Sequence, residues 1–195
     1  MQVLSPCKTF GGPISVTELN ELLRKNLNPQ NNQAFCKYGS KVFRVGDRVM
    51  QILNAEGISN GEIGYILDAC RNEKERSVTV SFPDGRTRTY LEENLSMLQL
   101  AYAMTIHKSL GSEYTTVILP VISDYSFILS RKMLYTAMTR AAKKVILIGT
   151  EKAVHTAIDS TDKDEWYTSL GEMIQNACKR WEHPQTLMEQ LKISS

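Results

Sequence analysis

Cysteines at metal-finger spacing are missing from this chain. Its four cysteines, Cys7, Cys36, Cys70 and Cys178, lie far apart, and its three histidines are scattered, so no zinc-site pattern exists. Reduced thiols in a cytosolic protein are the simplest reading. A basic-then-apolar leader is also missing, as is any apolar run long enough to cross a bilayer, so the chain reads as soluble, cytoplasmic and without a membrane partner. Charge of one sign is lacking overall, since 23 basic and 21 acidic residues leave a net +2. That total hides an uneven distribution. Residues 98–150 carry six basic and two acidic side chains, whereas residues 151–195 carry five and eight. The local surplus lies where a polyanion can use it, although a solvated face gives the same pattern. What the chain does have is a globular composition, 42% hydrophobic and 23% charged, which predicts a packed core rather than disorder.

Gln2–Ser5 is a short apolar run closed by Pro6 and reads as a strand. A core strand so near the first residue suggests a piece of a longer chain. Ser15 and Glu18 stand at capping-box spacing, and Leu19, Leu22, Leu23 and Leu27 follow at helical intervals. An amphipathic helix is therefore expected to about Asn26, with Pro29 blocking its continuation. Residues 28–40 are polar and rich in Asn and Gln, and read as a connector.

Between residues 41 and 97 the pattern changes to short β-favouring runs. Asn60-Gly61 and Pro83-Asp84-Gly85 mark turns, and Ser77 to Phe82 alternates with period two. About four or five short strands fit here, which predicts a small SH3-like barrel. Phe43, Tyr65, Phe82 and Tyr90 are too few and too dispersed for a peptide groove and are assigned to its core. Arg44, Arg48, Arg86 and Arg88 are candidate phosphate contacts.

Strands of another kind begin at Leu100. Leu100–Met104, Thr116–Leu119 (ended by Pro120) and Val145–Gly149 are unbroken apolar runs. Between the last two, Ser130 caps an expected helix with Met133, Leu134, Ala137, Met138 and Ala141 on one stripe and Lys132, Thr136 and Arg140 on another face. Apolar strands alternating with helix predict a parallel sheet covered on both faces, which Gln2–Ser5 joins. The barrel is then an insertion between two parts of one α/β domain. After Thr150 the chain turns polar and acidic, with helical patterns over 152–157, 166–181 and 186–191.

Two places carry candidate chemistry. The run Thr105-Ile106-His107-Lys108-Ser109-Leu110-Gly111-Ser112-Glu113 follows a strand and is rich in groups that contact phosphate. Gly111 permits close backbone approach, and Glu113 can accept from a sugar hydroxyl. A polar turn with a satisfied histidine has the same composition. The second place is Arg140, which reads either as a surface residue or as an arginine that stabilises a transferring phosphoryl group.

The order and separation of these signals resemble a family. AYAMTIHKSLGSEYTTVILP followed by LYTAMTRAAKKVILIG is similar to motifs V and VI of superfamily-one DNA helicases, in their UvrD-like C-terminal helicase domain. The similarity is to the RecD-like group, the exodeoxyribonuclease V alpha chain and its relatives. MQVLSP with LNELLRKNLNP resembles the surroundings of motif IV, and FRVGDRVMQILN with NGEIGYI resembles the inserted SH3-like barrel. The resemblance covers residues 1 to about 150. It implies an α/β fold: an incomplete RecA-like parallel sheet domain, an inserted SH3-like β-barrel and a helical C-terminal tail. The division would be 1–40 and 98–150 for the RecA-like parts, 41–97 for the barrel and 151–195 for the tail.

The same resemblance implies roles. Thr105, His107, Lys108 and Ser109 would face single-stranded DNA, Gly111 and Glu113 would lie at the nucleotide, with the glutamate at its ribose, and Arg140 would meet the γ-phosphate. ATP and Mg2+ are the cofactors implied for a full-length parent, with none held tightly by this chain. Its implied partners are single-stranded DNA, the N-terminal RecA-like domain of the parent, and recombination or repair subunits. Two departures stand out. Leu110 occupies a position where the family has glutamine, and it can neither hydrogen-bond to DNA nor relay to the nucleotide. The sequence also contains no G-x-x-x-x-G-K-[ST] cradle and no apolar strand leading to an Asp-Glu pair. The expectation is the C-terminal part of an ATP-dependent DNA helicase, inactive by itself. The alternative is a stand-alone, non-catalytic module that binds nucleic acid or a partner.

Overall fold

A computed structural model of the chain describes residues 1–9, 12–55, 57–72, 75–122 and 130–160. The helical patterns expected over 166–181 and 186–191, and Cys178, lie outside them. In chain order the elements are β1 (Gln2–Ser5), α1 (Val16–Leu27), β2 (Phe35–Tyr38), β3 (Lys41–Arg44), β4 (Arg48–Gln51), β5 (Ile63–Asn72), β6 (Glu75–Ser81) and β7 (Thr87–Leu91). There follow β8 (Leu98–Leu100), β9 (Ala103–Thr105), β10 (Tyr114–Val121), α2 (Arg131–Met138), β11 (Ala141–Gly149) and α3 (Glu151–Asp159), with short 3-10 turns at Glu92–Met97 and His107–Ser109. None of these helices is long and apolar enough to cross a membrane.

The strands sort into two architectures. Four of them form a parallel sheet in the order β11-β10-β1-β9. Its centre is β1, where Val3 pairs with Ala103 on one side and with Ile118 on the other. The expected membership of Gln2–Ser5 is therefore met. Leu4, Met104, Ile106, Val117, Leu119 and Val121 from this sheet and the turn after β9 pack with Leu134 and Ala137 of α2 and Ala153 and Ala157 of α3. Between β1 and β9 the chain builds the SH3-like barrel, from the β2–β3 hairpin and an antiparallel sheet in the order β7-β6-β5-β4-β8. A separate core fills it, including Cys36, Phe43, Val49, Ile66, Val78, Val80, Phe82, Tyr90, Leu95 and Leu98. The fold is thus an incomplete RecA-like parallel sheet with an inserted barrel.

Several elements depart from their sequence patterns. Leu100–Met104 is not one strand. Leu100 pairs with Val49 in the barrel and Ala103 pairs with Val3 in the parallel sheet, so the chain changes sheets across the buried link Ala101-Tyr102. Pro120 does not end its strand, because β10 runs on to Val121. The ladder to β1 involves only Val117 and Ile118, so Pro120 lies beyond the pairing on that side and is paired only with Ile148 of β11. The helix α2 stops at Met138, which puts Arg140 in a turn and Ala141 in β11 rather than on a helical stripe. The sheet is also not covered along β11, where every residue is half-buried or exposed and Ile148 is 55% exposed. Tyr65 is 52% exposed and does not belong to the barrel core.

The helix α1 is capped as its sequence predicts, with the Ser15 hydroxyl accepting from the Glu18 N–H. Its buried face is not the leucine stripe, however, since Leu22 and Leu27 are exposed. Val16, Asn20 and Arg24 are buried instead. Asn20 answers the edge of the parallel sheet: its Oδ1 accepts from the Ala103 N–H at 3.0 Å and its Nδ2 donates to the Ala103 carbonyl at 3.0 Å. Arg24 reaches the barrel. Its Nε and Nη2 donate to the two carboxylate oxygens of Asp47 at 3.0 and 2.6 Å, and Nη2 also donates to the Val42 carbonyl. Asn28, the Arg44 N–H and the Tyr102 hydroxyl converge on the same carboxylate. One buried Asp therefore joins α1, the β3–β4 turn and the link between the two sheets.

Candidate functional site at the strand ends of the parallel sheet

The turn between β9 and β10 is built from its own polar groups. Thr105 Oγ1 accepts from the Lys108 N–H at 3.2 Å, and Ser109 Oγ donates to the Ile106 carbonyl at 2.6 Å. Ser109 and Ile106 are buried, which pins the turn against the sheet. The Ser109 hydroxyl is thus committed inside the turn, and Thr105 Oγ1 takes part in it as an acceptor. His107 is exposed, Thr105 and Lys108 are half-buried, and Leu110 is 56% exposed. The Lys108 ammonium donates to Gln99 Oε1 at 3.1 Å, so it leans onto barrel strand β8. Gly111 follows with φ +81°, a conformation that side chains with a Cβ rarely adopt, and a Cβ built there would meet nothing within 4 Å.

Arg140 meets the far end of this segment. Its Nη1 donates to the Ser112 carbonyl at 3.4 Å, and its own carbonyl accepts from the Tyr114 N–H at 2.8 Å. Exposed Glu113 is therefore flanked by two residues that Arg140 holds. Nη2 donates to Thr139 Oγ1, while the buried Nε has no hydrogen-bond partner, and no carboxylate pairs with this guanidinium among the described residues. Because Tyr114 pairs with Ala141, the group Gly111, Ser112, Glu113 and Arg140 sits at the N-terminal ends of β10 and β11. Thr105, the last residue of β9, and His107 and Lys108 just after it sit at the other end of the sheet. In register, Ala103 and Ile118 both lie level with Val3, so Thr105 and Tyr114 are separated by about 20 Å along the strand direction. The structure thus divides the candidate residues into two groups at opposite ends of the sheet.

The barrel arginines separate in the same plain way. Arg88 is buried, donates to Gln51 Oε1 and the Ala55 carbonyl, and lies 4.6 Å from the Tyr90 ring centre. Arg86 is held by Asp84 and Glu62, which lowers the Asp84 carboxyl below its ordinary range and raises the guanidinium. Arg44 reaches Gln30, and Arg48 reaches the Met1 carbonyl. Two basic residues that the sequence pattern did not single out, Lys8 and Lys41, line a cavity between α1, β3 and β8 together with Gln99, the partner of Lys108. They lie far apart in the chain, and no periodicity connects them.

Comparison with known proteins agrees with this fold. Residues 100–148 match the UvrD-like helicase C-terminal domain, and residues 19–82 match the SH3 domain of ATP-dependent RecD-like DNA helicases. An ATP-dependent RecD2 DNA helicase from Deinococcus radiodurans is 34% identical over 155 residues, covering 78% of this chain and 20% of that protein. The RecBCD enzyme subunit RecD of Mycolicibacterium smegmatis is 30% identical over 161 residues, covering 78% of this chain and 26% of that protein. A crystal structure of the Pif1 helicase from Bacteroides in complex with ADP-AlF3 and ssDNA shares the fold. Its TM-score is 0.54 at 18% identity, covering 91% of this chain and 45% of that one. The sheet, barrel and motif matches define a C-terminal part of a superfamily-one helicase. Within that superfamily the chain belongs to the RecD-like helicases. It spans about a fifth to a quarter of the length of the two relatives described.

Proposed function

We propose that this chain supplies one wall of the nucleotide site, and part of the single-strand track, of an ATP-dependent RecD-like DNA helicase. The observation that carries the reading is Arg140, whose guanidinium has a buried Nε without a partner and no neutralising carboxylate among the described residues. An arginine left in that condition suits an anionic ligand, and its planar fork matches phosphate geometry. Arg140 stabilises charge on a γ-phosphate, Glu113 accepts from a ribose hydroxyl, and Gly111 allows close approach. ATP with Mg2+ provides the phosphoryl chemistry when bound, and the N-terminal RecA-like domain of the full-length protein provides the phosphate cradle and metal ligands. At the opposite end, Thr105, His107 and Lys108 face single-stranded DNA, while Ser109 holds their turn in shape. The domain division 1–40, 41–97, 98–150 and 151–195, and assembly with recombination or repair subunits, belong to the same proposal.

In the full-length protein, Arg140→Ala is expected to lower ATP turnover roughly a thousand-fold or more while single-stranded DNA affinity is retained. Steady-state hydrolysis and an oligonucleotide titration on the same preparation test this, and near-normal turnover overturns it. Exposed Leu110, in a turn where a hydrogen-bonding residue is expected, supports a second reading as a non-catalytic binding module. ATP hydrolysis by the full-length protein excludes that reading.

A further inference from the structure

The way α2 ends sets what stands beside the Arg140 guanidinium. Thr139 caps the helix with φ −70° and ψ −5°. Its N–H donates to the Tyr135 carbonyl at 2.9 Å, and the Arg140 N–H donates to the Ala137 carbonyl at 3.2 Å. The last turn of α2 therefore fixes the backbone of both residues. The Thr139 hydroxyl donates to the Thr136 carbonyl at 2.9 Å. Branching at Cβ stiffens the side-chain torsion, and this bond to the carbonyl three residues back selects one rotamer. A threonine hydroxyl has a single proton to give and lone pairs to accept with. With that proton spent on Thr136, only acceptor capacity faces Arg140, and Arg140 Nη2 donates to it at 3.3 Å. Nη1 donates to the Ser112 carbonyl at 3.4 Å. The guanidinium is thus held between two uncharged oxygens, one from each of the segments that flank it.

We propose that Thr139 is a positioning residue for Arg140: its hydroxyl, locked by the Thr136 carbonyl, holds the guanidinium in place before a γ-phosphate arrives. The inference rests on the reading of Arg140 as the residue that meets that phosphate. An arginine side chain has many rotamers, and ordering it during the reaction costs free energy that a prior hold removes. The hold must also let go. Both bonds are long, whereas a charge-assisted bond from guanidinium to phosphate is shorter and roughly twice as strong as a neutral one. A phosphate can therefore draw the arginine across without breaking an ion pair. A carboxylate in place of the Thr139 hydroxyl would neutralise the guanidinium and compete with the ligand. A hydroxyl whose proton is already committed orients the arginine and leaves its charge in place.

The test is ATP turnover and ADP affinity of the full-length protein in Thr139→Val, Thr139→Ala and Thr139→Ser. Thr139 is exposed, so none of these changes opens the core. Valine keeps the branched shape and alanine does not, but both lack the acceptor, and each is expected to lower kcat roughly ten-fold to a hundred-fold. Serine keeps the acceptor and is expected to retain most of the parent's turnover. ADP has no γ-phosphate, so its affinity is expected to stay at the parent's value in all three, whereas a general fault in the site would weaken it. In an Arg140→Ala background, Thr139→Val is expected to cause no further loss, because residues that act as a unit are not additive. Parental kcat in both Thr139→Val and Thr139→Ala, an equal loss in Thr139→Ser, a matching loss of ADP affinity, or a further loss on top of Arg140→Ala overturns the proposal. If Arg140→Ala fails while Thr139→Val turns over normally, only the positioning role falls. If Arg140→Ala itself turns over normally, the reading of Arg140 falls with it.

Discussion

Tyr102 shows how one residue ties titration to stability. It is buried in the link between the two sheets and donates to Asp47 Oδ1 at 3.1 Å. Burial first, and then the charge of Asp47, push its hydroxyl from 10 up to about 12. The folded chain therefore keeps this proton through a window in which the unfolded chain releases it. The stability so contributed is intact below pH 10 and is lost as pH rises towards about 12. Urea unfolding between these limits should fall more steeply in the parent than in Tyr102→Phe, and identical slopes would contradict the assignment. Arg140 illustrates the opposite case, a polar group whose bonding is left incomplete by the fold around it. Ser109 differs from both. Its sequence neighbours suggested a surface donor, yet its hydroxyl is spent on the Ile106 carbonyl.

At the level of elements, β11 depends on a close approach. Gly149 pairs with Val121 of β10, and a Cβ built on it would lie 1.6 Å from the Val121 carbonyl oxygen. Backbone cannot yield that distance cheaply, so Gly149→Ala is expected to cost about 1–3 kcal/mol, seen as a lower urea midpoint. Which elements were legible follows from what each one answers to. The capped start of α1, the period-two strands of the barrel and the apolar β10 and β11 follow local rules, and they could be read. The buried face of α1 could not, because four leucines suggest an apolar stripe. The neighbours waiting there are instead the free edge of β9 and the carboxylate of Asp47, which Asn20 and Arg24 satisfy. The break at Ala101-Tyr102 was hidden for a related reason: both flanking strands are apolar, and only their partners differ. The turn residues of the candidate site were suggested by motif order alone, and their roles are proposals. Lys8 and Lys41 were not, because the cavity they line forms only where barrel strands lie beside α1.

For the molecule as a whole, the joint on Asp47 decides whether sheet and barrel behave as one body. Asp47→Ala leaves Arg24 buried without its counter-charge, for which the expected cost is about 3–5 kcal/mol. Loss of the joint should also split unfolding into two transitions, one following the parallel sheet and one the barrel. Calorimetry of the parent and the variant tests this, and a single unshifted transition in the variant would count against it. The native joint has a mechanical side. Arg24 and Asn28 at the end of α1, the Arg44 N–H and the Tyr102 hydroxyl all close on one carboxylate of the β3–β4 turn, which couples helix, barrel and inter-sheet link at that point. A rotation of the parallel sheet would then pass to the barrel through that joint, and its arc would grow with distance from the pivot. The exposed rim around Tyr65 and Leu67 would sweep farther than the sheet that drives it, as the tip of a lever outruns its fulcrum.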